Sequence, residues 1–245
     1  MLLVVIVGLS LTSCDKDDDE VSNIHNGHEF VDLGLPSGLK WATCNVGADS
    51  AYECGFFLAW GETDPKDYYD YSTYKFGDWN SLTKYCSSEE DGIVDDKTVL
   101  EPEDDAATVN WGGSWRMPTN DELRELSANS LWGWVDDYRG SHVGGVVAYR
   151  LKSESDKLEK ISKFGQDYVD LVFGQYSVEK DVHIFLPMVG YCRGSIGGDP
   201  DGEYWSSSRD VYSSCARIMS IDQKGIHVSA GMSREFGAHV RPVCP

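Results

Sequence analysis

Apolar positions are most regular between residues 119 and 131, where they follow the spacing of a helix. Leu123, Leu126 and Leu131 recur at helical intervals and predict one buried face. Thr119 is suited to the N-cap position, and Glu122 follows three residues later, where its side chain completes a capping box. The pattern therefore predicts a capped helix whose leucine face packs against the core.

Elsewhere the apolar residues form short runs bounded by turn-forming residues, which is typical of strands. The predicted strands are residues 29–33, 39–46, 56–60, 144–151, 168–173, 183–186, 204–207, 216–221, 225–230 and 238–243. Residues 104–109 favour a short helix, and residues 154–163 a charged turn or short helix. No segment repeats at the period of a solenoid or propeller. We expect one α+β domain with an antiparallel sheet, one or two short helices and long loops.

The charge of the chain argues against one class of partner. Its 245 residues include 41 acidic and 21 basic side chains, which gives a net charge of −20. An acidic surface repels phosphate backbones, so nucleic acid is not an expected partner.

Five segments resemble, in order, the motifs of a known domain family. They are residues 27–48, 56–63, 100–119, 202–208 and 240–243, which contain the strings KWATC, WGET, WRMPT, YWSSS and VRPV. The string WRMPTNDEL is similar to a signature shared by the Fibrobacter succinogenes major paralogous domain and the formylglycine-generating enzymes, and the other segments favour the first group. The resemblance implies a C-type-lectin-like fold over residues 27–245. It implies a fold more firmly than a function, because functional sites vary among proteins that share a fold.

Residues 1–13 resemble a lipoprotein signal peptide. The apolar run from Leu2 to Leu11 is too short to span a bilayer, and the segment that ends at Cys14 resembles a lipobox, whose cysteine is lipidated and becomes the mature N-terminus. An ordinary signal peptide with a chance cysteine is the alternative. The basic n-region of a signal peptide is missing, since Met1 is followed directly by leucines, so either the true start lies upstream or the signal is atypical.

Residues 14–26 are predicted to form the lipidated end and an acidic linker. Lys16, Asp17 and Asp18 resemble the signal that exports lipoproteins of the Bacteroidota to the outer face of the outer membrane, and a short acidic spacer is the alternative. Together these features predict a protein that acyl chains tether to the outer membrane, facing the exterior.

Residues 61–79 form a loop in which aromatic side chains alternate with charged ones. Tyrosine and tryptophan provide rigid contact area with a polar tip, which suits the recognition of proteins and of sugar faces. The alternative is that these aromatics fold back onto the core. The candidate ligand-binding residues are Tyr68, Tyr69, Tyr71, Tyr74 and Trp79.

Nine carboxylates lie between residues 89 and 105 and raise the question of a cation site. Calcium takes six to eight oxygen ligands, and the candidate ligands here are Glu101, Glu103, Asp104 and Asp105. The spacing does not fit an EF-hand loop, and the segment from Glu101 to Glu103 departs from the tripeptide by which C-type lectins bind calcium and sugar. A solvated acidic loop is the alternative.

Six cysteines remain besides Cys14, namely Cys44, Cys54, Cys86, Cys192, Cys215 and Cys244. An even number in an exported protein permits disulfides, and a Cys192–Cys215 bridge is one prediction, with buried free thiols as the alternative. The resemblance to formylglycine-generating enzymes implies a copper-bound cysteine pair near the end of the chain. The late cysteines Cys215 and Cys244 are, however, widely separated in the sequence.

A non-catalytic recognition or adhesion module for glycan or protein fits these features best. A structural or accessory subunit of a surface appendage is the alternative, and an oxidoreductase of the formylglycine-generating type is less favoured. Beyond a candidate calcium ion, no cofactor is expected.

Overall fold

The computed structural model describes residues 23–153, 168–170, 176–197 and 201–245. The strands of this part are β1 Ile24–His25, β2 His28–Asp32, β3 Lys40–Ala42, β4 Leu82–Cys86, β5 Gly92–Val94, β6 Ser130–Val135, β7 Gly145–Arg150, β8 Tyr168–Asp170, β9 His183–Pro187, β10 Cys192–Arg193, β11 Ile196–Gly197, β12 Gly202–Arg209, β13 Cys215–Ile221, β14 Gly225–Ser233 and β15 Val243–Cys244. The helices are α1 Ala106–Trp111 and α2 Asn120–Asn129, with single 3₁₀ turns at Pro102–Asp104 and Tyr138–Gly140.

Three groups of predictions lie outside the described residues. They are the signal peptide with Cys14 and the export residues Lys16, Asp17 and Asp18, the charged segment 154–163, and the end of the strand predicted at 168–173. The first strand, β1, begins inside the predicted linker 14–26 and pairs with β2.

The strands form several small, mainly antiparallel sheets. One four-stranded sheet has the order β1-β2-β3-β15 and joins the beginning of the described chain to its end, a second has the order β12-β13-β14-β8, and a third, three-stranded sheet has the order β6-β7-β9. The pairs β4-β5 and β10-β11 are separate two-stranded sheets, of which β4-β5 is parallel. The described chain is therefore mostly antiparallel sheet with two short helices, which is compatible with the predicted α+β class.

Helix α2 begins as its sequence predicts. Thr119 is extended, its hydroxyl accepts from Glu122 N at 3.3 Å, and the Glu122 carboxylate accepts from Thr119 N at 2.8 Å. Leu123 and Leu126 are buried beneath it, and the helix packs against β12 and β14.

The end of the helix was predicted wrongly. The chain becomes extended at Ser130, and Leu131 lies in β6 instead of on the helix face. β6 pairs with β7 along six residues and buries Trp132, so sheet pairing outcompetes the continued leucine period.

Two other predicted strands are largely replaced by single bridges. In the segment 56–60, a single bridge joins Leu58 to Ala238. In the segment 238–243, a second bridge joins His239 to Tyr204, and Val243 is the one residue of this segment that belongs to β15. Leu58 and Ala238 exchange backbone bonds of 2.9 and 3.0 Å, while Trp60 N bonds elsewhere, to Arg234 O. Because successive residues bond different partners, no regular ladder extends through either segment.

The predicted Cys192–Cys215 disulfide is wrong. Both residues are free thiols, as are the other four cysteines of the described chain. Cys192 exchanges backbone bonds with Gly237, whereas Cys215 pairs with Ser233 in another sheet. Within the described ranges, no helix has the length and apolar character needed to cross a membrane.

Candidate functional site

Three of the five candidate aromatic residues fold back onto the core. Tyr69 and Tyr74 are buried, with hydroxyls that donate to the carbonyls of Phe57 and Trp60 at 2.5 and 2.8 Å. Tyr71 is half-buried and packs edge-on against Tyr74. Burial raises the pKa of all three phenols, so they remain neutral hydrogen-bond donors. For these residues the structure supports the packing alternative.

Tyr68 and Trp79 remain available to a ligand. Their side chains are 48% and 53% exposed. The Tyr68 ring packs against Gly194, with one ring carbon 3.6 Å from the position that a Cβ would take there. Trp79 lies in a separate turn, where its backbone N donates to Asp78 Oδ1 at 2.7 Å. The two exposed aromatics therefore lie in different turns of the loop.

Tyr68 lies beside a cleft of about 320 Å³, which we call the loop cleft. Its lining residues come from three segments of the chain: Gly55, Phe56, Phe57, Pro65, Lys66, Asp67, Tyr69, Cys192, Gly194 and Ser195. Tyr69 and Gly194 exchange two backbone bonds of 2.8 Å, and this bridge holds the aromatic loop against the turn at 194. The cleft thus combines apolar walls with a polar edge.

Tyr69 forms the fixed inner wall of the loop cleft. A Cβ at Gly237 would come within 2.8 Å of its ring, so the close approach of this backbone requires glycine. The Tyr69 hydroxyl accepts from Lys66 N at 3.2 Å while it donates to Phe57 O. These contacts connect two walls of the cleft through one buried side chain.

Lys66 is held in place at the edge of the cleft. Its Nζ donates to Glu62 Oε1 at 2.9 Å and to Thr73 O at 3.0 Å. The same atom lies 5.5 Å from the centroid of the Tyr69 ring, within the range of a cation–π contact. A fixed ammonium group can orient a hydroxyl or carbonyl of a ligand without a large loss of side-chain entropy.

Cys192 also lines the cleft, but it is not an activated nucleophile. Burial raises the pKa of its thiol, and the neighbouring Cys54 raises it further. A thiol with a raised pKa is protonated at neutral pH, and the thiolate is the reactive species. The arrangement therefore suits binding more than covalent catalysis.

Three of the four predicted cation ligands come together. Carboxylate oxygens of Glu101, Glu103 and Asp104 lie within 4.8 Å of one another. The Lys84 ammonium group lies among them, with Nζ 2.5 Å from Glu101 Oε2, 3.3 Å from Glu103 Oε1 and 2.5 Å from Asp104 Oδ2. The position that a cation would take is therefore filled by the protein's own lysine.

Asp104 is the buried member of this acidic cluster. It accepts from Lys75 Nζ at 2.6 Å and from the Tyr85 hydroxyl at 2.6 Å, in addition to Lys84. Burial by itself disfavours the charged carboxylate, but the bonds from Lys75, Lys84 and Tyr85 outweigh it and lower the pKa of Asp104. The cluster is thus neutralised internally.

Asp105 does not join the cluster. Its carboxylate caps α1 by accepting from Thr108 N at 2.9 Å, and it also accepts from Met117 N at 2.9 Å. Burial raises its pKa. The predicted ligand Asp105 therefore supports the helix and the segment that leads to α2.

The sequence predicted the aromatic loop but missed most of the cleft beside it. Phe57, Lys66 and Cys192 have no shared motif or spacing, and backbone pairing across more than 120 positions brings Tyr69 next to Gly194. Comparisons with protein-family models, with curated proteins and with solved structures find no match to this chain. What the cleft binds must therefore be inferred from its own geometry.

Proposed function

We propose that this chain is a surface lipoprotein whose C-type-lectin-like domain, of the major paralogous type, recognises a saccharide without catalysing a reaction. Support for the family comes from contacts among the resembling segments. Trp60 Nε1 donates to Ser206 O at 2.8 Å, Arg116 N donates to Val243 O at 3.1 Å, and Val243 pairs with Trp41. Residues of different motifs therefore contact one another in the interior, which is the expected role of residues that define a fold.

The exposed Tyr68 ring beside the loop cleft is the observation that carries the recognition role. Aromatic faces stack on the apolar faces of sugar rings, and the polar edge formed by Lys66 and Asp67 can bond sugar hydroxyls. The volume of about 320 Å³ is at the small end of ligand pockets, which favours one or two sugar units over a protein segment.

The saccharide role is tested by binding measurements on two matched variants. Tyr68→Ala and Trp79→Ala each remove an exposed aromatic from the same loop, but only Tyr68 borders the cleft. We expect calorimetric titration with a panel of neutral mono- and disaccharides to find a ligand whose affinity falls about fivefold to tenfold in Tyr68→Ala. The affinity of Trp79→Ala should match that of the wild type.

Two results would contradict this role. An equal loss of affinity in both variants would show that the sugar does not bind at the loop cleft. If this protein binds none of the sugars but binds a protein partner through the same loop, the accessory-subunit alternative is favoured.

The lipid anchor is proposed from Cys14 and its flanking residues. Cys14→Ser should abolish incorporation of labelled fatty acid and release the protein from the membrane fraction, because acylation at this position is the proposed attachment. Replacement of Lys16, Asp17 and Asp18 by alanine should keep acylation but protect the protein from protease added to whole cells. Continued cleavage by the added protease would refute the export signal.

The proposal excludes catalysis of the formylglycine-generating type at the late cysteines. Cys215 lies in β13 and Cys244 in β15, and these strands belong to different sheets. Burial raises the pKa of both thiols. The separate sheets and the raised pKa values both weigh against the neighbouring, activated pair that copper binding requires.

A further inference from the structure

A second cleft, of about 390 Å³, lies on a surface that shares no lining residue with the loop cleft. We call it the arginine cleft. Its lining residues come from the beginning of the described chain, the 3₁₀ turn, the end of β7 and the start of β9: Asn23, Val31, Asp32, Arg139, Arg150, Asp181, Val182 and His183. Two arginines in one cleft are notable in a chain of net charge −20.

Arg150 presents an unpaired guanidinium group to this cleft. Its backbone N bonds to Val182 O at 2.9 Å, which fixes the end of β7 beside β9. The side chain is exposed and passes close to Gly34, whose Cβ position is 3.0 Å from Arg150 Nε. None of the described residues forms an ion pair or side-chain hydrogen bond with it. Its fork of N–H donors is therefore available to a ligand.

Arg139 is placed by an unusual backbone. It has φ +52° and ψ +35°, the left-handed region that non-glycine residues rarely adopt. The neighbouring Tyr138 is buried and stacks on Phe185 with 4.0 Å between ring centroids. Arg139 itself uses one nitrogen to donate to Val178 O at 3.1 Å. A strained residue that persists in a rigid setting is a reason to look for function there.

The acidic residues of the cleft already have partners. Asp181 pairs with Lys152 Nζ at 2.8 Å and accepts from Ser177 N at 2.8 Å. Asp32 accepts from Gly34 N at 2.7 Å. Neither carboxylate forms an ion pair with Arg139 or Arg150 within the part of the chain that the structure describes.

His183 walls the cleft without offering a base. Its Nδ1 lies 2.7 Å from Asp181 O and its Nε2 lies 2.9 Å from the Tyr138 hydroxyl, so both ring nitrogens are engaged. Besides Asn23, the polar donors that line the cleft are the two guanidinium groups, which match the geometry of carboxylate, sulfate and phosphate oxygens.

We propose that the arginine cleft binds a small oxyanion, either as the acidic group of a sugar or as a free inorganic ion. The negative charge of the whole chain does not prevent this. At physiological ionic strength, charges farther than about 8 Å are largely screened, so the groups at the cleft decide the interaction. Lys152 neutralises Asp181, and the two arginines outnumber the remaining carboxylate, Asp32. The inference is independent of the saccharide role of the loop cleft, because the two sites have different residues.

Titration calorimetry of the purified protein with sulfate, phosphate and glucuronate, and with glucose as a neutral control, tests the proposal. We expect at least one anion to bind in the millimolar range. Any heat from glucose would arise at the loop cleft and should be unchanged in the arginine variants. Arg150→Gln and Arg139→Gln should each weaken the binding by about tenfold, which is the effect of losing one charge-assisted contact. Arg150→Lys should weaken it less, because the charge remains while the fork is lost.

Arg124→Gln is the matched control, since Arg124 is an arginine on the surface of α2 that does not line the cleft. Its affinity should equal that of the wild type, and circular dichroism should show that all variants are folded. Tighter binding of glucuronate than of the inorganic ions would identify the source as an acidic sugar, and the reverse order a free anion. The absence of binding up to about 50 mM of every anion, or affinity unchanged in Arg150→Gln, would overturn the proposal.

Discussion

Lys84 determines whether the acidic cluster of Glu101, Glu103 and Asp104 stabilises the fold through salt bridges or binds calcium. Lys84→Met removes the ammonium that contacts Glu101, Glu103 and Asp104, and leaves Asp104 with Lys75 and Tyr85. Loss of one partner from a fully buried ion pair costs about 3–5 kcal/mol. The Lys84 side chain is 21% exposed and the Asp104 side chain 4% exposed, so solvent screens part of this loss. We expect a destabilisation of about 2–3 kcal/mol.

For a chain of this length, each kcal/mol lowers the melting temperature by about 2–4 °C, so Lys84→Met should melt about 4–12 °C below the wild type. Calcium should leave the wild type unchanged, because Lys84 fills the position between the carboxylates. In Lys84→Met that position is vacated. Calcium at about ten times its dissociation constant would restore about 1.4 kcal/mol, a rise of about 3–6 °C.

Lys97→Met is the control from the same cluster. Among the described residues Lys97 forms an ion pair only with Glu101, at 2.7 Å, and its side chain is 40% exposed. Its loss should cost less than about 1 kcal/mol and create no calcium response. Differential scanning fluorimetry in EDTA and then in millimolar calcium measures all three proteins. A calcium-dependent rise in the wild type, or an unchanged melting temperature in Lys84→Met, would refute the reasoning and restore calcium as the natural occupant.

Two further predictions concern stability. Burial lowers the pKa of His239 from 6.5 to about 4, so between these values only the unfolded chain takes up the proton. The free energy of unfolding should be highest above pH 6.5 and fall by about 3 kcal/mol as the pH drops to about 4. In urea titrations, His239→Phe should remove this part of the pH dependence. An unchanged pH dependence would exclude His239 as its source. Thr119→Ala should cost about 1 kcal/mol by breaking the capping box with Glu122, and a cost near zero would show that the cap does not stabilise α2.

The features that the sequence predicted best depend on neighbours in the chain. The capping box of Thr119 and Glu122 spans three residues, and the strands β7, β9, β12 and β13 lie where short apolar runs predicted them. The prediction failed where distant partners decided the outcome, as at Leu131, which pairs in β6 with Tyr149 instead of extending the helix.

The candidate site shows the same division. The sequence indicated that residues 61–79 are an aromatic loop, but not that Tyr69 and Tyr74 would be buried while Tyr68 and Trp79 stay exposed. That difference depends on hydrogen bonds to Phe57 and Trp60, whose positions follow from the whole fold. Aromatic character alone does not distinguish a core residue from a binding residue, because both bury large surfaces.

Composition and local periodicity were enough to predict the acidic charge, the antiparallel strands and the start of the main helix, because these features depend on residue content and near neighbours. Only the tertiary structure placed Lys84 among the three carboxylates and brought Arg139 to the same cleft as Arg150. These contacts depend on which strands pair and in which register. Pairing between distant segments cannot be predicted from a local pattern of residues.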